Sequence, residues 1–425
     1  MLEKGMSVMV TANKEKRASM ILFISCFFVY AVVCMTKSAY ASSIASILSE
    51  ELFDKTKAGL INSGFYLFYG AAQLLFLRVV DRFSPVRLIS ITLIGTVFSL
   101  IFMALSNSFV LMLFFWCFCG LIQFAVWPAV VRLIGEYLHP EHQDKARVYI
   151  AFSYCTGMLL SYLFSSVLLR FARWTAIFWS LSLLCLLSLV AWKIVTDKTL
   201  PALSSITKAQ KVSDTADTNA LHPQKNTLKL LTSSGLLLLL VPACLRSSLD
   251  LGVKSWVPTM IVENYDVSIS FANALTTALI FINLAGVFIA GFMYPKRIKN
   301  VTLAFALCFL FSLPFTALLL WVGKVSVLTV VLSLAVITTL MYAGHQLINV
   351  IIPSFFIKTG KAGSISAILN AFASFGAVIA NFLFGYLAES HGWSVTTASW
   401  IVIIVVALLF SLLAVPRFKR LLSAE

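Results

Sequence analysis

Twelve apolar runs, each long enough to cross a bilayer as a helix, constrain this chain more than any other feature. They fall at approximately 18–45, 57–80, 86–106, 109–135, 146–171, 174–196, 230–262, 268–293, 301–322, 325–357, 362–387 and 395–416. About 20 helical residues span the ~30 Å hydrocarbon layer, and lipid leaves a backbone amide no partner outside its own helix. The pattern therefore predicts an all-α membrane protein of twelve transmembrane helices. Pro128, Pro242, Pro258 and Pro353 lie inside runs and do not argue against helices, since neighbouring helices repair local breaks in lipid. The first run is too long for a signal-peptide core and no small-residue cleavage pattern follows it, so it is expected to remain as the first span.

The polar stretch Asp197–Thr227 divides the runs six and six. It is expected to be a cytoplasmic linker (197–227) between two pseudo-symmetric six-helix bundles, residues 1–196 and 228–425. The net charge of +15 follows this topology. With both termini cytoplasmic, 24 of the 32 Lys and Arg fall in cytoplasmic segments and 5 in external loops, as the positive-inside rule requires. The basic balance is thus explained by a lipid bilayer and needs no nucleic-acid partner. All eight cysteines lie within runs, which argues against a structural disulfide, and none has metal-ligand spacing. Short loops without appended domains fit a monomer in a bacterial inner membrane.

The three remaining cations sit inside runs. Lys37 is the only charge between Arg17 and Glu50, and Arg246, Asp250 and Lys254 occupy one stripe of the seventh run at i, i+4 and i+8. An ammonium at mid-bilayer costs roughly 2.5–3.5 kcal/mol on insertion scales, so such groups usually face a cavity or a partner. Asp250 is expected to bridge its two cations. Lys37 has no acid on its own helix and must pair with Asp250 across the interface or with a bound anion. Tyr66, Tyr69, Gln73, Gln123, Trp127, Tyr154, Thr156, His345 and Asn349 are further candidates for a cavity wall. For each of them an interhelical hydrogen bond is the alternative.

Two loops repeat a motif. Asp81-Arg82 with Arg87 follows the second run, and Gly291 with Pro295, Lys296 and Lys299 follows the eighth. Each matches, in part, the Gly-x-x-x-Asp-Arg/Lys loop of the major facilitator superfamily. Longer stretches resemble its organophosphate:phosphate antiporter family, the glycerol-3-phosphate and hexose-phosphate transporters. These are Phe28–Ala31, Tyr40-Ala41, Gly59, Ser63-Gly64, Tyr69-Gly70, Cys119–Gln123, Trp127-Pro128, Arg132, Gly252, Trp256–Thr259, Ala362-Gly363, Gly376, Gly385-Tyr386 and Gly392-Trp393. The resemblance implies the major facilitator fold and exchange against phosphate. It also implies a conformational latch of Asp81, Arg82, Arg87, Arg132, Glu136 and Arg147. The family's two phosphate-binding arginines correspond here to Lys37 and Asp250, its second-span lysine to Gln73 and its fifth-span histidine to Thr156. The substrate is therefore expected to differ.

These features point to a secondary active transporter for a small anionic or zwitterionic metabolite, an organophosphate, carboxylate or amino-acid-like solute, moved by alternating access. Phosphate antiport and proton symport through Asp250 or His345 are both open. A membrane sensor signalling to a partner kinase and a proton-coupled drug exporter are the alternatives. No glycine-rich nucleotide loop or nucleophile–base constellation is present, so neither enzymatic activity nor a cofactor is expected.

Overall fold

In the computed structural model, residues 2–76, 82–203, 236–322, 326–356 and 362–423 are described, and no strand occurs among them. Span 1 is Leu2–Lys37 followed, after a break at Ser38, by Ala39–Ser49; spans 2 and 3 are Lys55–Leu75 and Pro85–Leu105. Span 4 is Phe109–Gln123 with Val126–Tyr137; spans 5 and 6 are Pro140–Leu168 and Thr175–Thr199. Span 7 joins Leu236–Ser247 to Val253–Tyr265 through a wide π turn at Ser248–Gly252. Span 8 runs Ile269–Asn283, Ala285–Gly291 and Phe292–Arg297, and span 9 is Val301–Val322. Span 10 runs Val327–Gln346, a second π turn at Leu347–Ile351, and Ile352–Ser354; spans 11 and 12 are Ala362–Ser390 and Gly392–Ser423.

Eleven of these helical stretches are long and apolar enough to cross a membrane by length and composition. The twelfth run is present as span 2, whose 21 residues include Lys55, Lys57, Asn62, Ser63, Tyr66, Tyr69 and Gln73. Its low hydropathy has a physical cause: span 2 packs along span 11 and buries Asn62 and Gln73 inside the protein. Elsewhere apolar side chains face outward, among them Phe114, Phe288, Val402 and Leu413, as a hydrocarbon solvent demands.

The packing repeats between halves. Spans 1·5, 1·6, 2·4, 3·4 and 3·6 pack in the first half, and 7·11, 7·12, 8·10, 9·10 and 9·12 in the second. Every pair recurs six spans later, so the two six-span halves are related by an internal symmetry. The halves meet along spans 2·11 and 5·8, with the end of span 1 against span 7. Small residues permit close approach at the 2·11 seam: a Cβ on Gly59 would lie 2.3 Å from the Asn381 carbonyl oxygen. The Asn62 amide donates to Asn381 Oδ1 at 2.7 Å and to Ser255 Oγ at 3.2 Å, and its oxygen accepts from Trp116 Nε1 at 3.4 Å. Of the expected linker, Asp197–Thr199 ends span 6 and Pro201–Leu203 adds a 3₁₀ turn; 204–227 lie outside the described residues.

Twelve spans that reverse at each turn put both chain ends on one side. At the opposite end a charged seam joins the halves. Lys55 Nζ lies 3.2 Å from Glu263 and 3.8 Å from Glu389, the Lys55 amide donates to Glu389 at 3.0 Å, and Trp393 Nε1 donates to Glu263 at 2.7 Å. Glu50 accepts from Arg173 at 2.5 Å and Trp174 at 3.2 Å, and the guanidinium holds this carboxyl below its ordinary range. Partly exposed pairs contribute about 1 kcal/mol at most. Lys55→Ala should therefore favour opening at this end up to about fivefold. The labelling rate of a cysteine placed at buried Ser46, in a background lacking native cysteines, measures it. An unchanged rate would show that the seam does not hold the halves together.

Candidate functional site

Span 7 carries the expected ladder. Arg246 Nη1 donates to Asp250 Oδ2 at 3.2 Å and Lys254 Nζ to Asp250 Oδ1 at 2.5 Å. All three residues are buried, at 2%, 5% and 5% exposure. The π turn at Ser248–Gly252 carries Asp250 between an α-helical Arg246 and Lys254, and wide turns of this kind recur at functional sites. Arg246 Nη1 also donates to the Met341 carbonyl at 3.4 Å, while Nε is buried with no hydrogen-bond partner among the described residues. One carboxylate thus serves two buried cations, an arrangement that offsets part of a desolvation cost of several kcal/mol per ion.

Lys37 ends the first segment of span 1, where Ser38 interrupts the helix. Its ammonium rests on aromatic faces of span 2, 3.9 Å from the Tyr69 centroid, 5.4 Å from Tyr66 and 5.8 Å from Phe65. A cation over a ring face is stabilised by about 0.5–2 kcal/mol, most when desolvated. Among the described residues no carboxylate lies within ion-pair distance of Lys37, so the pairing with Asp250 that the sequence left open is not made. Asp250 is within electrostatic range of Tyr66, one ring of this cage.

Span 10 supplies the other wall. His345 Nδ1 and the Asn349 side-chain nitrogen are 2.7 Å apart, and His345 stacks on Tyr342 at 5.8 Å. Tyr342 lies under Lys254 Nζ at 5.8 Å and its hydroxyl meets Cys155 Sγ of span 5 at 2.9 Å. Tyr342 was not among the sequence candidates, although its position three residues before His345 places it on the same face. Gln73 accepts from Asn370 at 3.0 Å across the 2·11 seam.

Other candidates are engaged elsewhere. Gln123 is buried and donates to Thr36 at 3.0 Å and Thr96 at 3.4 Å, binding spans 1, 3 and 4 together. Trp127 packs on Tyr30 at 5.0 Å and Thr156 donates to its own helix at Phe152, whereas Tyr154, packed beside Met158 and Tyr162, stays within electrostatic range of Asp250, Arg246 and Tyr66. Of the latch residues, Arg132 pairs with Glu136 and donates to the Phe83 carbonyl at 2.9 Å, tying span 4 to the loop after span 2. Arg82 and Arg87 are exposed. Asp81 and the Arg147 side chain lie outside the described residues.

Residues 26–380 match a family model described as the Major Facilitator Superfamily. The chain is 22% identical over 411 residues to a probable hexose phosphate transport protein of Chlamydia muridarum, covering 92% of this chain and 90% of that one. A protein of the same description from Chlamydia pneumoniae is 22% identical over 402 residues, with 90% and 88% covered. Among solved structures, a bacterial homologue of the human lysosomal transporter Spinster, inward-facing and unoccupied, superposes with a TM-score of 0.78 at 14% identity over 95% of this chain and 98% of that one. A D-xylose–proton symporter gives 0.73 at 12% identity, with 93% and 97% covered.

Proposed function

From the premise that the chain belongs to the Major Facilitator Superfamily, we propose that this transporter moves a sugar phosphate or similar organophosphate by alternating access. One observation carries the reading: half-buried Lys37, with buried Arg246 and Lys254 against Asp250, leaves an excess of two positive charges shared between the halves. A phosphate monoester carries about −1.5 to −2 charges at neutral pH, so it balances this excess where a neutral sugar or a monocarboxylate does not. The names of the chlamydial relatives point the same way.

In this reading the phosphate draws Lys37 off the Tyr69 face and accepts from Arg246, whose buried Nε has no hydrogen-bond partner among the described residues. Asn370 with Gln73, and His345 with Asn349, offer hydrogen-bond partners for sugar hydroxyls. The ligand then bridges span 1 of one bundle to span 7 of the other, an interaction that differs between open and closed states and so drives the transition. The charge bias of the loops supports cytoplasmic termini in a bacterial inner membrane.

Thermal unfolding of the purified protein tests the substrate class. Glucose 6-phosphate at about 100 times its dissociation constant should stabilise the folded state by about 2.7 kcal/mol, with inorganic phosphate weaker and glucose without effect. Stabilisation by glucose equal to that by glucose 6-phosphate, or by neither sugar phosphate nor phosphate, would overturn the reading.

A further inference from the structure

We propose that Asp250 is the carrier's own counter-anion, so that the empty protein reorients without a bound anion and supports net substrate flux rather than obligatory exchange. The proposal rests on the transporter reading above. Its ground is where each buried charge finds its compensation.

A carrier that alternates must return its site across the membrane between deliveries. If the site holds uncompensated cations, closing it away from water on the empty leg is costly. The return then needs a second anion, and transport becomes exchange. Here part of the compensation is internal, and the charge that remains is kept on separate partners. Arg246 and Lys254 share Asp250 through contacts confined to span 7. Rocking of one bundle against the other leaves contacts within a single span intact. Lys37 is held by Phe65, Tyr66 and Tyr69 of span 2, in its own half. Each cation therefore carries its stabilising partner through either orientation. The groups that part on rocking are neutral ones, such as Cys155 with Tyr342 and Gln73 with Asn370, together with Arg170 on Ser270 and the charged seam at Lys55. The two positive charges that remain are divided, one caged on span 2 and one spread over the ladder. The substrate balances this remainder when bound, and on the empty leg each remaining charge stays with the partner in its own half.

The test uses the full-length protein in proteoliposomes with radiolabelled glucose 6-phosphate outside and the membrane potential clamped. Vesicles contain zwitterionic buffer alone, inorganic phosphate, or unlabelled glucose 6-phosphate. The proposal expects the initial rate into buffer-only vesicles to fall within about threefold of the rate into preloaded ones. A buffer-only rate below one tenth of the preloaded rates overturns it while leaving the substrate reading intact. Absence of uptake in every arm overturns both. Asp250→Asn should lower the ratio of net uptake to exchange at least tenfold, with internal phosphate restoring uptake, and Asp250→Glu should keep the wild-type ratio. An Asp250→Asn ratio equal to wild type removes Asp250 from this role. If the asparagine variant fails to fold, the wild-type ratio decides alone.

Discussion

Lys37→Ala is expected to reduce uptake of glucose 6-phosphate by more than a hundredfold while leaving the protein folded. The ammonium rests on three aromatic faces of span 2 and has no ion pair among the described residues. A charge-assisted contact to phosphate is worth about 1.5–3 kcal/mol, and loss of the counter-charge also leaves the bound dianion under-compensated in a desolvated site. Stability should not fall, because removing a half-buried cation that has no ion-pair partner among the described residues also removes its desolvation cost. Lys37→Arg should retain a measurable fraction of activity: the charge stays, but a planar fork replaces a point charge packed on Tyr69. Initial uptake rates set against melting temperature separate the two effects. Wild-type uptake by the alanine variant would take Lys37 out of the site.

Gly376→Ala should have the largest effect on folding. A Cβ there would sit 1.9 Å from the Cys244 carbonyl oxygen and 2.7 Å from its carbon, both backbone atoms of span 7 that cannot rotate aside. Overpacking of this kind typically costs about 1–3 kcal/mol and sometimes more. The displaced span carries Arg246 and Asp250, so transport should be lost with stability. Gly135→Ala is the control, since its Cβ would meet nothing within 4 Å and should be neutral. Monodisperse yield and melting temperature of the two variants make the comparison. A Gly376→Ala protein as stable as the control would mean that spans 7 and 11 separate freely at this point.

The sequence determined what bilayer physics makes local. Span lengths follow from the width of the hydrocarbon and from the need of each helix to satisfy its own amides. The Arg246–Asp250–Lys254 ladder follows from helical spacing alone, and it forms although a π turn lies within it. Tertiary structure decided what depends on partners far apart in the chain. Lys37 turned to Tyr69, 32 positions away, rather than to Asp250. Asn62 found Asn381, and Lys55 found Glu263 and Glu389, joining the halves at the end opposite the sequence-expected latch. Gln123 and Gln73, equivalent as buried amides in the sequence, diverged into an interhelical strut and a partner across the seam. The difference is physical: a periodicity fixes which residues share a face, but only the packing of two bundles fixes what that face meets.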